Sequence, residues 1–309
     1  MGRQGELIRI AYDQPFEQPL TLCLGFFDSL HLGHRMLFDH ARMTAEKYGC
    51  ETAVFTFENN PFAVLGQPSL QVLTMQERCY RLQQAGIRYV MTARFDEQFA
   101  AMSAAEFVER LLSGKQIRAI VVGNDYTFGN CAQGTAQTLR QMCERVGVQL
   151  EILDMKRLPN GEKIASRRLR EAVRAGDVEQ IREQLGAPYP LIGKVIRGRG
   201  DGASRLFATA NVEYPAHKEK LAPGVYETRV TVDGVPLKAV TNVGGHPTMG
   251  DMHDNVESHI LHYRGDLYGR ELLVEFYRRL RDIQKFDSVE ALRAQIASDI
   301  RSVETSKER

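Results

Sequence analysis

Net charge, long apolar runs and paired cysteines are all scarce in this 309-residue chain, and each scarcity removes a class of function. The 40 Lys and Arg against 39 Asp and Glu leave a formal charge of +1. That balance gives no general attraction to nucleic acid or to an anionic membrane, so any cationic site has to be local. No segment approaches the ~20 consecutive apolar residues of a membrane-spanning helix. The opening MGRQGELIRIAY also lacks the apolar core of a secretory leader. The five cysteines (Cys23, Cys50, Cys79, Cys131 and Cys143) are odd in number, confined to the first half and without paired spacing. They read as reduced thiols rather than a disulfide framework, and the compartment expected is the cytoplasm. There is no internal repeat and no low-complexity tract, and only the closing VETSKER looks frayed.

What is present is an ordinary globular composition, 43% hydrophobic, in a chain longer than one comfortable core, so two domains are expected. The first half alternates strands and helices. A buried strand at 20–24 precedes a helix from about Leu37 to Tyr48, and ETAVFTF at 51–57 reads as the second strand. Thr74 and Glu77 form a capping box at the head of TMQERCYRLQQA, and Gly86 closes that helix. IRYVMTARF, a helix over 104–112, a strand over 117–122, a helix over 136–146 and a strand near 148–155 continue the pattern. Such alternation predicts βαβ units and a parallel sheet.

The first half is organised around LCLGFFDSLHLGH at 22–34. Gly25 breaks the strand, Asp28 follows in the turn, and His31 and His34 stand three residues apart at a strand-to-helix junction. That spacing places both imidazoles on one face of a first helical turn, beside the free N–H groups that favour phosphate. Gly33 lets a phosphate approach the backbone. The stretch reads as a nucleoside triphosphate site. A zinc pair is the weaker alternative, because no third ligand stands at readable spacing.

Loops leaving the C-terminal ends of parallel strands are where ligands bind. Two such loops carry further candidates. In FENNPF, residues Phe57, Asn60 and Phe62 suit a planar ligand, with a core role for the phenylalanines equally open. In GNDYTFGNCAQGT, Asp125 suits a ribose hydroxyl or a metal-bound water, or is a plain turn residue. Residues 164–170, IASRRLR, open a basic amphipathic helix near Lys163; Ser166 and the arginines are suited to gripping a triphosphate, the bland alternative being a solvated face.

After LGAPYP at 185–190 the pattern turns to short strands with glycine-rich turns, including an Asp-Gly hairpin at 233–234. This predicts a small antiparallel barrel, closed by a helix capped by Ser288, with domains at 1–186 and 187–309. Glu257, at the head of an apolar run, is placed to be a general base. Thr209 and Asn211 in ATAN offer a hydroxyl and an amide for a magnesium ion or a phosphate.

The ordered series GFFDSLHLGH, LTMQERCYRL, FVERLL, VVGNDYTFG and IASRRLREAVRAGDVEQ, followed by ATAN, PGVY, NVGGHPT, VESHIL and DLYGRELLVEFYRRLRDIQKF, resembles the bacterial bifunctional riboflavin kinase/FAD synthetase family from about residue 20 to 300. The resemblance implies a Rossmann-like nucleotidyltransferase domain joined to a flavokinase barrel. It implies two ATP-dependent reactions: riboflavin to FMN on the barrel, and FMN to FAD with loss of pyrophosphate on the first domain. It further implies His31 and His34 as donors to the reacting phosphate, and Ser166 and Arg170 as the pyrophosphate grip. Gly25, Asp28, Gly33 and Asp125 would belong to the ATP site, and the 57–62 loop to the flavin. Glu257 would be the kinase base, with Thr209 and Asn211 at Mg²⁺. The partners expected are riboflavin, FMN and ATP, with no nucleic acid and no membrane; the oligomeric state is left open.

The chain departs from the family pattern at Ser29, Tyr126, Ala165 and Arg167, at His262, and most in the loop 198–211. Two alternatives follow: an FAD synthetase with an impaired barrel, and a flavin-binding regulator that turns nothing over.

Overall fold

The computed structural model describes residues 6–67, 70–154, 166–197, 209–244 and 256–307. Lys163 and the 198–208 part of the glycine-rich loop lie outside the described residues. Contacts divide the chain into two compact units, 1–166 and 167–309.

The first unit opens with β1 (Ile8–Ala11), β2 (Phe16–Leu24), α1 (Leu32–Tyr48) and β3 (Glu51–Phe57). The short α2 (Pro61–Val64), α3 (Met75–Gln84), β4 (Tyr89–Ala93), α4 (Glu97–Ala101) and α5 (Ala104–Leu112) follow. It ends with β5 (Lys115–Gly123), the small ribbon β6 (Thr127–Phe128) and β7 (Gly134–Thr135), α6 (Ala136–Val146) and β8 (Gln149–Leu153). Six strands form one sheet in the order β1-β4-β3-β2-β5-β8, and every pairing is parallel. The central β2 is buried from Cys23 to Leu20 on both faces, which is why its sequence reads as a continuous apolar run rather than an alternating one. β3 lies on one side of β2 and β5 on the other, so the chain reverses its winding beside β2 and leaves a crevice at the C-terminal ends of β2 and β5.

Two boundaries differ from the sequence expectation for local reasons. α1 starts at Leu32, not near Leu37, because His31 itself is the N-cap: its Nδ1 accepts the backbone N–H of His34 at 3.3 Å. An imidazole is outside the usual Ser, Thr, Asp and Asn set of caps, and the glycine behind it weakens the helical signal. β2 starts at Phe16 rather than Leu20; a register shift against β5 between Phe16 and Leu20 takes up the stretch that contains Pro19. The capping box of Thr74 and Glu77 is formed as expected.

α7 (Ser166–Ala175) straddles the unit boundary, and α8 (Val178–Leu185) follows it. Six strands then close a barrel in the order β10-β13-β12-β11-β14-β9, every pairing antiparallel. They are β9 (Tyr189–Ile196), β10 (Thr209–Val212), β11 (Gly224–Val232), β12 (Val235–Val243), β13 (Val256–Ile260) and β14 (Glu271–Arg281). The hairpin between β11 and β12 turns on Asp233 and Gly234, both at positive φ (52° and 79°), as an Asp-Gly turn requires. α9 (Val289–Glu304) starts at its Ser288 cap and buries Val303 against Val225, Val240 and Leu261.

The division by contacts falls 20 residues before the expected 186/187 boundary. The helices in between turn to the barrel: Val173 O accepts from Ala222 N, Ala175 O accepts from Arg279, and Arg174 pairs through two hydrogen bonds with buried Glu219. The bareness of Gly176 admits the Tyr226 hydroxyl, which would lie 2.5 Å from a Cβ there. The composition change marks where strands begin, while the contacts follow where apolar helix faces are covered.

Candidate active sites

The loop from β2 to α1 is the most constrained segment of the first unit. Phe27 and Leu30 are held at positive φ (51° and 49°), a conformation that costs a non-glycine residue free energy and persists only where the surroundings enforce it. Gly25 is what makes room: a Cβ there would sit 2.6 Å from the Phe27 ring. The folded-back Phe27 packs edge-on against His34 at 5.1 Å and against Phe38 at 5.0 Å. His31 and His34 are thereby brought into a parallel stack, centroids 3.7 Å apart and planes 12° from coincidence.

The protonation of the pair follows from this packing. His31 Nδ1 accepts a backbone N–H, so its ring proton resides on Nε2. Burial, and secondarily the neighbouring His31, hold the His34 pKa well below the usual 6.5, so His34 is neutral at physiological pH. With the His34 amide taken by the cap, the amides of Leu32 and Gly33 remain without intrahelical acceptors at the positive end of the helix dipole. The result is a pair of neutral imidazole donors beside backbone donors, a set suited to phosphate oxygens on which charge develops.

His34 opens onto a cavity of about 660 Å³ at the ends of β2, β3 and β5. Gly25, Phe57, Phe62 and Asp125 also line it, so five of the sequence-derived candidates converge there. Its wall is aromatic: Phe26 lies 6.4 Å from Phe57 and 6.2 Å from Phe62, and Tyr126 stacks on Phe128 at 5.6 Å. Phe95, in the loop before α4, and Phe99, on α4, also line the wall, and sequence reasoning did not single them out.

Other candidates stand elsewhere. Asp28 is buried and turned into the protein, its Oδ1 accepting from Val72 N at 3.1 Å and its carbonyl from Leu73 N at 3.2 Å, so it braces the segment before α3. Asn60 is buried as the N-cap of α2, accepting from Phe62 N. Gly33 is buried in the first turn of α1. Ser166 reaches the β2–α1 loop, its Oγ 3.0 Å from that of Ser29. Arg170 stands one turn further along α7, on the face that Ser166 shares.

In the second unit the β10–β13 register sets Asn211 opposite Glu257. The Thr209 hydroxyl donates to the Glu257 carboxylate at 2.5 Å. All three residues stand on the outward face, since Ala210, Val212, Val256 and Ser258 between them are buried. Thr209 and Asn211 line a cavity of about 370 Å³ with Asp266, Tyr268 and Arg197, whose guanidinium lies 4.9 Å above the Tyr268 ring. A hydroxyl, an amide oxygen and a carboxylate on one face are hard donors of the kind magnesium takes, and no group of three His, Cys, Asp or Glu competes for a metal among the described residues.

Two family models match the chain: FAD synthetase over residues 13–168 and riboflavin kinase over 185–307. The chain is 30% identical to the bifunctional riboflavin kinase/FMN adenylyltransferase of Bacillus subtilis over 286 residues, covering 90% of each protein. It is 31% identical to that of Escherichia coli K12 over 290 residues, covering 92% of this chain and 91% of the other. Among solved structures it is similar to a Streptococcus pneumoniae chain described as a macrolide-efflux protein, with TM-score 0.83 and 30% identity over 97% of this chain and 100% of that one. No described helix of the present chain is long and apolar enough to cross a membrane.

Proposed function

Because the chain belongs to the bifunctional riboflavin kinase/FMN adenylyltransferase family and is an enzyme of flavin cofactor biosynthesis with both catalytic modules present, we propose which of its side chains carry each step. The observation that carries the assignment is the stack of His31 on a neutral His34 at the head of α1, with His34 opening on an aromatic cavity at the switch point of the sheet.

In adenylyl transfer, a phosphate oxygen of FMN attacks the α-phosphorus of ATP, a new P–O bond forms, and the bond to the β-phosphate oxygen breaks to release pyrophosphate. His31 and His34 donate N–H groups to the oxygens that gain charge, with the Leu32 and Gly33 amides beside them. The two rings support each other by stacking, so neither needs to reorganise during the reaction. Ser166 and Arg170 hold the leaving pyrophosphate. Phe57 and Phe62 receive the flavin ring, and Asp125 meets the ATP ribose. Asp28 and Asn60 act indirectly, the first by holding residues 72 and 73, the second by capping the helix that carries Phe62.

In the kinase, the Glu257 carboxylate takes the proton of the ribityl 5′-hydroxyl as that oxygen bonds to the γ-phosphorus of a second ATP, and the bond from that phosphorus to the β,γ-bridging oxygen breaks to release ADP. Thr209 and Asn211 would hold Mg²⁺ and phosphate oxygens. The Thr209 hydroxyl, donating to Glu257, keeps the carboxylate oriented. The metal would neutralise phosphate charge in both reactions. Free thiols at all five cysteines agree with a reducing compartment, and the cytoplasm is the assignment we favour.

The experiment feeds purified protein riboflavin as the sole flavin, with ATP and Mg²⁺, and follows products by chromatography. FMN followed by FAD is expected. Conversion of supplied FMN to FAD with riboflavin untouched would remove the kinase assignment, and no turnover of either flavin would remove both.

A further inference from the structure

Arg78 is a fully buried arginine on α3 that takes no part in the chemistry above. A lone guanidinium in a protein interior is costly unless its donors are met. Here they are met by the ends of two neighbouring strands. Nη1 donates to Phe26 O at 3.2 Å and to Thr56 Oγ1 at 2.8 Å, and Nη2 donates to Phe57 O at 2.8 Å. The Thr56 hydroxyl in turn donates to Phe26 O at 2.6 Å, so that carbonyl receives two donors from the bracket. The guanidinium carbon also lies 5.5 Å from the Phe26 ring centroid, a cation–π distance. Only Nε lacks a partner among the described residues. Burial lowers the Arg78 pKa to about 10, with Asp28 acting the other way, so the side chain stays cationic at neutral pH.

We propose that Arg78 is a positioning residue for the flavin substrate: by tying Phe26 to Thr56 and Phe57 across the ends of β2 and β3, it fixes the two facing aromatic walls of the large cavity. The inference rests on the reading of that cavity as the flavin seat. Phe26 and Phe57 both line it, with ring centroids 6.4 Å apart. Parallel strands end here without a partner beyond, so their last carbonyls have no ladder to hold them, and the planar fork spans both. Among the described residues, the side-chain hydrogen bonds of Arg78 lie on the β2 and β3 side; none reaches Asp125 or Thr127 after β5, where the nucleotide is placed. Arg78 therefore acts on FMN and leaves ATP recognition unchanged.

The full-length Arg78→Met and Arg78→Lys variants are assayed for FMN adenylylation, with riboflavin phosphorylation by the same protein as the folding control. Arg78→Met is expected to raise KM for FMN by about tenfold or more while changing KM for ATP less than about twofold, and Arg78→Lys, which keeps the charge but not the fork, to fall between. If Arg78→Met does not accumulate as folded protein, Thr56→Val decides, because it removes one acceptor of the bracket with little change of volume; it too should raise KM for FMN alone. Equal changes in both KM values, or an unchanged KM for FMN in folded variants, would overturn the proposal. Phe62→Ala separates the two readings. If it raises KM for FMN while the Arg78 and Thr56 variants do not, the cavity is the flavin seat and Arg78 is structural. If Phe62→Ala also leaves KM for FMN unchanged, the cavity assignment itself falls.

Discussion

The ring of His31 lies 3.7 Å above that of His34, and the same His31 caps the helix through the backbone amide of His34. One residue thus starts α1 and, in the proposed reaction, also donates at its head, so its structural and proposed chemical roles have to be separated by substitution.

His31→Ala loses the cap and the donor together. Adenylylation is expected to fall by roughly 10²–10³-fold, and stability by about 1 kcal/mol. His31→Asn restores the cap without the imidazole, so its melting temperature should return while its FAD synthesis stays low. Recovery of both in the asparagine variant would reduce His31 to a cap.

His34 is held neutral with a pKa well below 6.5, mainly by burial. The unfolded chain titrates near 6.5, so below that pH it binds the proton that the folded state refuses. Stability therefore rises with pH between the folded and unfolded pKa values and is lost as pH falls below 6.5. Wild type should lose more melting temperature between about pH 7.5 and about pH 5 than His34→Gln, which has nothing to titrate there. Equal losses would mean that His34 is not the group responsible.

Glu257→Gln is expected to lower riboflavin phosphorylation by roughly 10²–10⁴-fold while leaving FMN adenylylation as it was. Thr209→Val, which removes the hydroxyl that donates to Glu257, should give a smaller loss confined to the kinase. A glutamine variant that phosphorylates riboflavin at the wild-type rate would dismiss Glu257 as the base.

Gly25→Ala drives a methyl group to within 2.6 Å of the Phe27 ring. Displacing that ring disturbs its edge contacts with His34 and Phe38, at a cost of about 1–3 kcal/mol for an overpacked core site. Thermal unfolding and FAD synthesis should fall together, whereas riboflavin phosphorylation should be spared. A variant with unchanged unfolding and unchanged FAD synthesis would show that the loop has another way to close.

Local signals sufficed for much of the fold. The continuous apolar run at 20–24, the Thr74–Glu77 box, the Asp233–Gly234 turn and the Ser288 cap each depend on a few adjacent residues, and each is where the sequence places it. The alternation of strands and helices determines a parallel sheet in the first half, and the run of short strands an antiparallel barrel in the second. The motif 22–34 marks the proposed site for the same reason: glycine, histidines and helix start are neighbours along the chain. Tertiary packing alone decided the rest. Asp28 reads from sequence as a loop acid near phosphate, yet Val72 and Leu73, more than forty residues on, draw its oxygens inward. Asn60 is spent on capping. Arg78 reads as one more polar position on an amphipathic helix, because periodicity reports which face is buried but not which long-range carbonyls await a donor there. The proximity of the two histidines was legible in their spacing; the neutrality of His34 and the parallel stacking were not, since both depend on Phe27 folding back over Gly25 and excluding water from the ring.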